Sequence, residues 1–225
     1  MYEKKLTKKM TVVLLTLLSL LILSSHFSPT VARNTYTYKP PKNPSPTKSR
    51  VQGSGSRGCN EPKLADVKLR LFAPEDHVGL TTSDRPTFFW HVATKSKVTV
   101  RFALIDLDPK QIEPVIEVKQ EVSQSGIVKL QLPPETTISA GKTYQWTVAV
   151  VCNPRRPSQD IYAYAQIEKV SPTAELLQKM NASDKSERTV IYADGGIWYD
   201  ALAEAYRANP NSEYLLTLFS DLSKS

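Results

Sequence analysis

The sequence predicts a mainly β protein, two antiparallel sheets stacked face to face, followed by a small helical segment. Three observations carry that prediction. In the stretch TYQWTVAVVC (residues 143–152), Tyr144, Trp146, Val148, Val150 and Cys152 fall on one face and Thr143, Gln145 and Thr147 on the other, the period of two of a half-buried strand. Just upstream, Ile138, Gly141 and Tyr144 have the spacing by which immunoglobulin-like and fibronectin-like sandwiches turn a corner into their sixth strand, the tyrosine hydroxyl bonding back to upstream backbone. After Val170 the apolar period lengthens from two to about 3.6, the helical repeat.

The first elements are not part of that fold. Lys4, Lys5, Lys8 and Lys9 precede an apolar run over 11–23, and Thr30-Val31-Ala32 offers small residues for cleavage before Arg33, so residues 1–32 read as an export signal. The run is short for a membrane span, which needs about 20 apolar residues. The mature protein is therefore expected to lack a transmembrane domain and to be secreted or periplasmic, the alternative being an anchor formed by an uncleaved leader. Residues 33–58 carry Pro40, Pro41, Pro44 and Pro46 among Lys, Ser and Thr, then Gly53-Ser54-Gly55-Ser56, a composition that reads as a disordered basic linker. The formal charge of +7 divides as +3 over residues 1–32, +6 over 33–58 and −2 over 59–225. The folded part thus has no overall electrostatic footprint for nucleic acid.

Residues 59–170 contain seven strand candidates: 64–72, 86–92, 98–107, 114–122, 127–132, 143–152 and 161–170. Turn chemistry separates them, including Pro74 and Gly79, Asp108-Pro109, Pro133-Pro134 and Asn153-Pro154. Seven such strands predict an immunoglobulin- or fibronectin-like sandwich, with Trp90 and Trp146 in its core. The two cysteines, Cys59 and Cys152, read as a disulfide in an exported chain, and strand alternation puts both at one pole. Arg57, Lys95, Lys97, Arg155 and Arg156 share that pole and are candidate contacts for an anionic partner, whereas Glu75, Asp76, Asp106, Asp108, Glu113 and Glu135 fall at the other.

Residues 171–225 form the helical tail. Ser171-Pro172 starts a helix with Leu176, Leu177 and Met180 on its apolar face, and Asp184 with Glu187 opens a second that ends near Asp194-Gly195-Gly196. Trp198, Ala201, Leu202, Ala205 and Tyr206 then recur as an amphipathic helix stopped by Asn209-Pro210, and Tyr214, Leu215, Leu218 and Leu222 mark a last one. Tyr192, Gly196, Ala201 and Ala208 resemble one tetratricopeptide unit with a capping helix behind it. A lone unit cannot cover its own apolar face, so the sandwich or a partner must do so. Trp198 and Tyr206 are the candidate contacts if that cover is another protein.

The order of parts also resembles the family of exported cyanobacterial proteins catalogued as domain of unknown function 928. The resemblance runs from Arg57-Gly58-Cys59 through Gly79-Leu80-Thr81-Thr82, Arg85-Pro86-Thr87, Tyr144-Gln145-Trp146 and Cys152 to Gly196-Ile197-Trp198-Tyr199-Asp200-Ala201-Leu202. It implies export and a sandwich with helices, and brings no activity or active residues.

Nothing in the chain marks an enzyme. No serine has the Gly-flanked pattern of a nucleophile elbow, and Glu75-Asp76-His77 and the Asp106/Asp108 pair sit on turns where such residues are ordinary. Two distant cysteines with His77 and His91 lack metal-ligand spacing, so neither metal nor cofactor is expected. The expectation is an exported non-enzymatic interaction module that binds envelope or extracellular proteins. The alternative is a surface protein holding anionic polysaccharide or lipid through its basic pole, with an exported hydrolase as a third reading.

Overall fold

Alternation along the chain translates into strands wherever one face can be buried. The computed structural model describes residues 38–47, 49–53, 59, 61–108, 110, 113–184 and 187–210. All seven predicted strands form: β2 Lys68–Leu71, β4 Thr87–Ala93, β5 Val98–Asp106, β6 Ile116–Val122, β7 Gly126–Gln131, β8 Thr143–Val150 and β9 Ile161–Lys169. Two short ones, β1 Gln52–Gly53 and β3 Gly79–Thr81, join them, so the described residues hold nine strands rather than seven. They make a four-stranded sheet in the order β1-β2-β4-β7 and a five-stranded sheet in the order β3-β9-β8-β5-β6. Every pairing within the sheets is antiparallel except β3 with β9.

One core lies between the sheets. Trp90 on β4 and Trp146 on β8 are both fully buried, with Phe88 and Phe102 linking them. Phe88 stands 5.0 Å from Trp146 and Trp90 lies 6.0 Å from Phe102, centroid to centroid. Such aromatic pairs add about 0.5–1.5 kcal/mol each beyond the area they bury. The corner into β8 also forms: Ser139 N–H donates to the Tyr144 hydroxyl at 3.1 Å, and Gly141 takes a left-handed φ of 73°. The Cys59 and Cys152 sulphurs lie at bonding distance, with Cα atoms 5.8 Å apart.

The helices are α1 Ala174–Ala182, α2 Arg188–Asp194 and α3 Trp198–Ala208. Thr173, not Ser171, caps α1, its hydroxyl accepting from Leu176 N–H at 3.1 Å. Among the described residues no helix is long and apolar enough to cross a membrane. The leader, Arg57 and the last predicted helix lie outside the described residues.

A correction concerns residues 38–47 and 49–53, part of the stretch 33–58 that composition assigns to a disordered linker. They form a strap along one side of the sandwich. Tyr38 and Val51 are buried, Arg50 and Tyr164 of β9 exchange both backbone hydrogen bonds at 2.9 Å, and Leu71 N–H donates to Val51 O at 2.7 Å. Strap backbone thus satisfies edge groups of both sheets, which a composition average cannot register. At its start Lys39 N–H reaches Ala193 O at 3.1 Å, and Gly196, with φ 74°, leaves the strap room: a Cβ there would sit 3.1 Å from Pro41 N.

Candidate functional site: a basic concave face on the four-stranded sheet

Position determines what each predicted contact residue can do. Trp198 and Tyr199 open α3 side by side, and both are buried. Trp198 Nε1–H donates to Phe72 O at 3.0 Å, with Tyr38 edge-on at 4.8 Å. Tyr199 reaches the middle of the sandwich, where its hydroxyl accepts from Trp146 Nε1–H at 2.8 Å and donates to Gln166 O at 3.1 Å. Asp200 accepts from Thr82 N–H at 2.9 Å. Burial raises its carboxyl above the ordinary value, against the pull of hydrogen bonds from Thr81 and Thr82.

The segment Trp198–Leu202 is therefore the plug that joins helix to sandwich. Trp198, a candidate contact only if another protein covered the helices, is spent inside the protein, because the sandwich supplies that cover, as the smaller of the two sequence expectations had it. Tyr206 is half-buried on Phe89 at 5.2 Å, with Lys129 Nζ 5.1 Å from its ring.

Tyr38 extends the plug into a short polar chain. Its hydroxyl lies 2.9 Å from His77 Nε2 and 3.2 Å from Gly196 O, while His77 Nδ1 lies 2.7 Å from Asp76 Oδ1. Burial pushes the Tyr38 and Tyr199 hydroxyls well above their ordinary value of 10. Their folded-state pKa values exceed the unfolded ones, so the stability they contribute is whole below pH 10 and lost as pH rises beyond it. Melting temperature measured from pH 8 to 11 should fall above pH 10, and a double Tyr38→Phe/Tyr199→Phe variant should show a shallower fall.

The predicted basic pole is mixed in sign. Lys95 pairs with Asp66 at 2.7 Å and Lys97 with Glu121 at 3.4 Å, and the Lys95 hydrogen bond holds the Asp66 carboxyl below its ordinary value. Arg155 and Arg156 are exposed on the turn after β8, where Arg155 N–H donates to Asn153 Oδ1 at 2.9 Å. Glu121 arrives opposite Thr99 through the β5–β6 register, a neighbour that a loop-by-loop charge count omits.

A concavity lies on the outer face of the four-stranded sheet. Pairing sets Gln52 of β1 beside Arg70 of β2, Arg70 beside His91 of β4, and Lys68 beside Ala93. Phe89 on the same outward face is covered by Tyr206 of α3, whereas His91 and Ala93, further along β4, are not fully covered. Ala65 and Asp66 of the turn before β2 also line it, with Lys95 paired to Asp66. The concavity is about 850 Å³, and its described lining sets Lys68 and Arg70 beside that ion pair. Burial holds the His91 imidazole below its ordinary value, so it is neutral near pH 7 and both donates and accepts hydrogen bonds.

Sequence reasoning missed this face because its residues come from three strands. The signal available was the outward alternation of Lys68 with Arg70 and of His91 with Ala93. Among the described residues no group of three or more His, Cys, Asp or Glu is placed to hold a metal ion. No curated protein matches the chain. Residues 52–225, well over half of the sequence, match the family described as Domain of Unknown Function (DUF928), and the chain belongs to that family.

Proposed function

We propose that this protein is an exported, non-enzymatic binding module of the cell envelope that holds an anionic partner on the concave face of its four-stranded sheet. One observation carries the reading: a concavity of about 850 Å³ whose described lining sets Lys68 and Arg70 beside the Lys95–Asp66 ion pair. Its volume lies within the range of about 300–1,000 Å³ usual for ligand sites. The leader-like residues 1–32 and the Cys59–Cys152 pair support export, since disulfides persist in oxidising compartments. The order β2-β4-β7 against β9-β8-β5-β6, with the Tyr144 corner, supports an immunoglobulin-like ancestry for the seven long strands.

A second reading, docking of an envelope protein on the tetratricopeptide-like helices, is favoured by one feature. Leu177 on α1 and Val190 on α2 are 48% and 43% exposed, while the inner face of α3 is spent on the sandwich.

The charge-reversed pair Lys68→Glu/Arg70→Glu separates the two. Co-sedimentation with isolated bacterial envelope fragments at low salt should fall at least ~10-fold, and the wild-type protein should lose binding as salt screens the contact. Equal retention of wild type and variant, insensitive to salt, would refute the anionic reading and favour the helices.

A further inference from the structure

The side chains that grip the start of the strap have fewer protons than hydrogen bonds to fill while the histidine among them is neutral. Tyr38 has one hydroxyl proton and two acceptors for it, Gly196 O at 3.2 Å and the Nε2 of His77 at 2.9 Å. The other nitrogen of that ring, Nδ1, lies 2.7 Å from Asp76 Oδ1. The hydrogen bond from His77 holds the Asp76 carboxyl below its ordinary value, so near neutral pH it is a carboxylate, which only accepts. Nδ1 therefore carries a proton, and a neutral ring is left with Nε2 bare. In that state Nε2 takes the Tyr38 proton and Gly196 O goes without it.

We infer that His77 is a pH-operated latch on the strap: a second proton, on Nε2, reverses the Tyr38–His77 hydrogen bond, turns the Tyr38 proton to Gly196 O, and fastens the strap to the turn between α2 and α3. The proton comes from water, and the N–H bond is the one covalent bond formed. The buried imidazolium has the Asp76 carboxylate as its counter-charge. This latch does not depend on what the concave face holds.

Backbone contacts keep the partners in place. His77 is bridged to Pro46 of the strap, flanked by Val78 N–H on Ser45 O at 2.9 Å and Thr47 N–H on Asp76 O at 3.2 Å. Gly196 lies against the beginning of the strap, where a Cβ would stand 3.2 Å from Lys39 O. The other described charges here are Glu75, next to Asp76 in the chain, and Lys39 with Asp194, which pair at 2.9 Å between the strap and the end of α2. Asp200 on α3, whose carboxyl burial raises, accepts from Thr82 N–H instead. Imidazole is the side chain whose charge ordinarily changes between about pH 5 and 8. A hydrogen bond gained on protonation contributes at the acid end of that window and is lost as pH rises through it.

Hydrogen exchange of the full chain at pH 5 and pH 8, corrected for the intrinsic pH dependence of amide exchange, tests the latch. Protection of the Lys39 amide, which donates to Ala193 O, should be about 3–10-fold higher at pH 5 relative to the β8 amides, the worth of one added hydrogen bond. Tyr38→Phe, which keeps the ring, and His77→Gln, which keeps a polar side chain without the change of charge, should each abolish that difference, whereas His91→Gln should retain it. Nitrogen-15 shifts of the wild-type His77 ring give a readout that needs no variant: Nδ1 protonated and Nε2 bare at pH 8, both protonated at pH 5. Equal protection at the two pH values would overturn the latch. So would the same difference surviving in Tyr38→Phe and His77→Gln, which would assign it to another group such as Asp200. A ring carrying its proton on Nε2 at pH 8, or still neutral at pH 5, would overturn the proton count.

Discussion

Replacing Tyr199 with alanine should destabilise the protein by about 3–5 kcal/mol, the usual cost of removing a large buried aromatic ring. The ring is 1% exposed and packs edge-on to Phe88 and Trp146, at 5.8 and 6.3 Å. Its hydroxyl sits between Trp146 Nε1–H and Gln166 O, so truncation opens a cavity and also leaves a buried indole N–H without its acceptor. Tyr199→Phe isolates the second effect. It keeps the ring, loses the hydroxyl, and should cost about 1–3 kcal/mol, the penalty for stranding a buried polar group.

Both changes act on the seam where α3 enters the sandwich. Gly79 of β3 lies beneath the ring so closely that a Cβ there would stand 2.6 Å from Tyr199 Cε2, and Gly79 itself has no side chain to fill the vacated space. Urea unfolding followed by tryptophan fluorescence checks the prediction, because Trp146 and Trp198 flank the seam. A loss under ~1 kcal/mol for the alanine variant would mean that α3 is not joined to the β core through this residue.

That seam shows where the sequence is legible and where it is not. The period of two marks a strand when it persists over several residues, as in β5 and β8, and β2, only four residues long, is found from the outward Lys68 and Arg70 alternating with buried Leu69 and Leu71. β1 and β3 span two and three residues, too few for any period, and exist because neighbouring edges offer them backbone partners. The strap eludes composition in the same way. Its prolines and lysines cannot order themselves, but Tyr38, Val51 and a few backbone bonds suffice once the sandwich is present.

The helix period finds α3 and its end at Asn209-Pro210, yet it treats Trp198 and Tyr206 alike. The adjacent pair Trp198-Tyr199 held the missing signal. Neighbours in a helix diverge by about 100°, so two large aromatics side by side are both buried only where the helix end is inserted between elements. The concave face was the least legible part. Lys68 and Arg70 alternate on one strand, but the register that sets Arg70 beside Gln52 and His91 is a pairing no local pattern encodes.

The Cys59→Ser/Cys152→Ser variant should lose about 4–5 kcal/mol relative to the oxidised protein, as the chain-entropy account gives for a closed loop of this length. The two cysteines are 93 residues apart, so the bond removes a large share of the unfolded chain's freedom. Its surroundings hold the bridged end in place. Cys152 N–H donates to Asp160 Oδ1 at 3.0 Å, and the other Asp160 oxygen accepts from Arg101 at 3.0 Å, so the end of β8 stays tied to β5 when the sulphurs are removed.

Cys59 packs against the core and leads into the Pro62–Leu64 turn and residues Ala65 and Asp66. The loss should therefore be uneven: the β8 end persists while residues 61–67 loosen at temperatures where the core remains folded. Thermal melts of the wild type with and without reductant, beside the double variant, check the global part, since reduced wild type should melt with the variant. Hydrogen exchange checks the local part through faster exchange over 61–67 than over 143–150. Coincident melts of oxidised and reduced protein would show that the bond adds nothing to the fold, and uniform exchange across both segments would show that it does not govern residues 61–67.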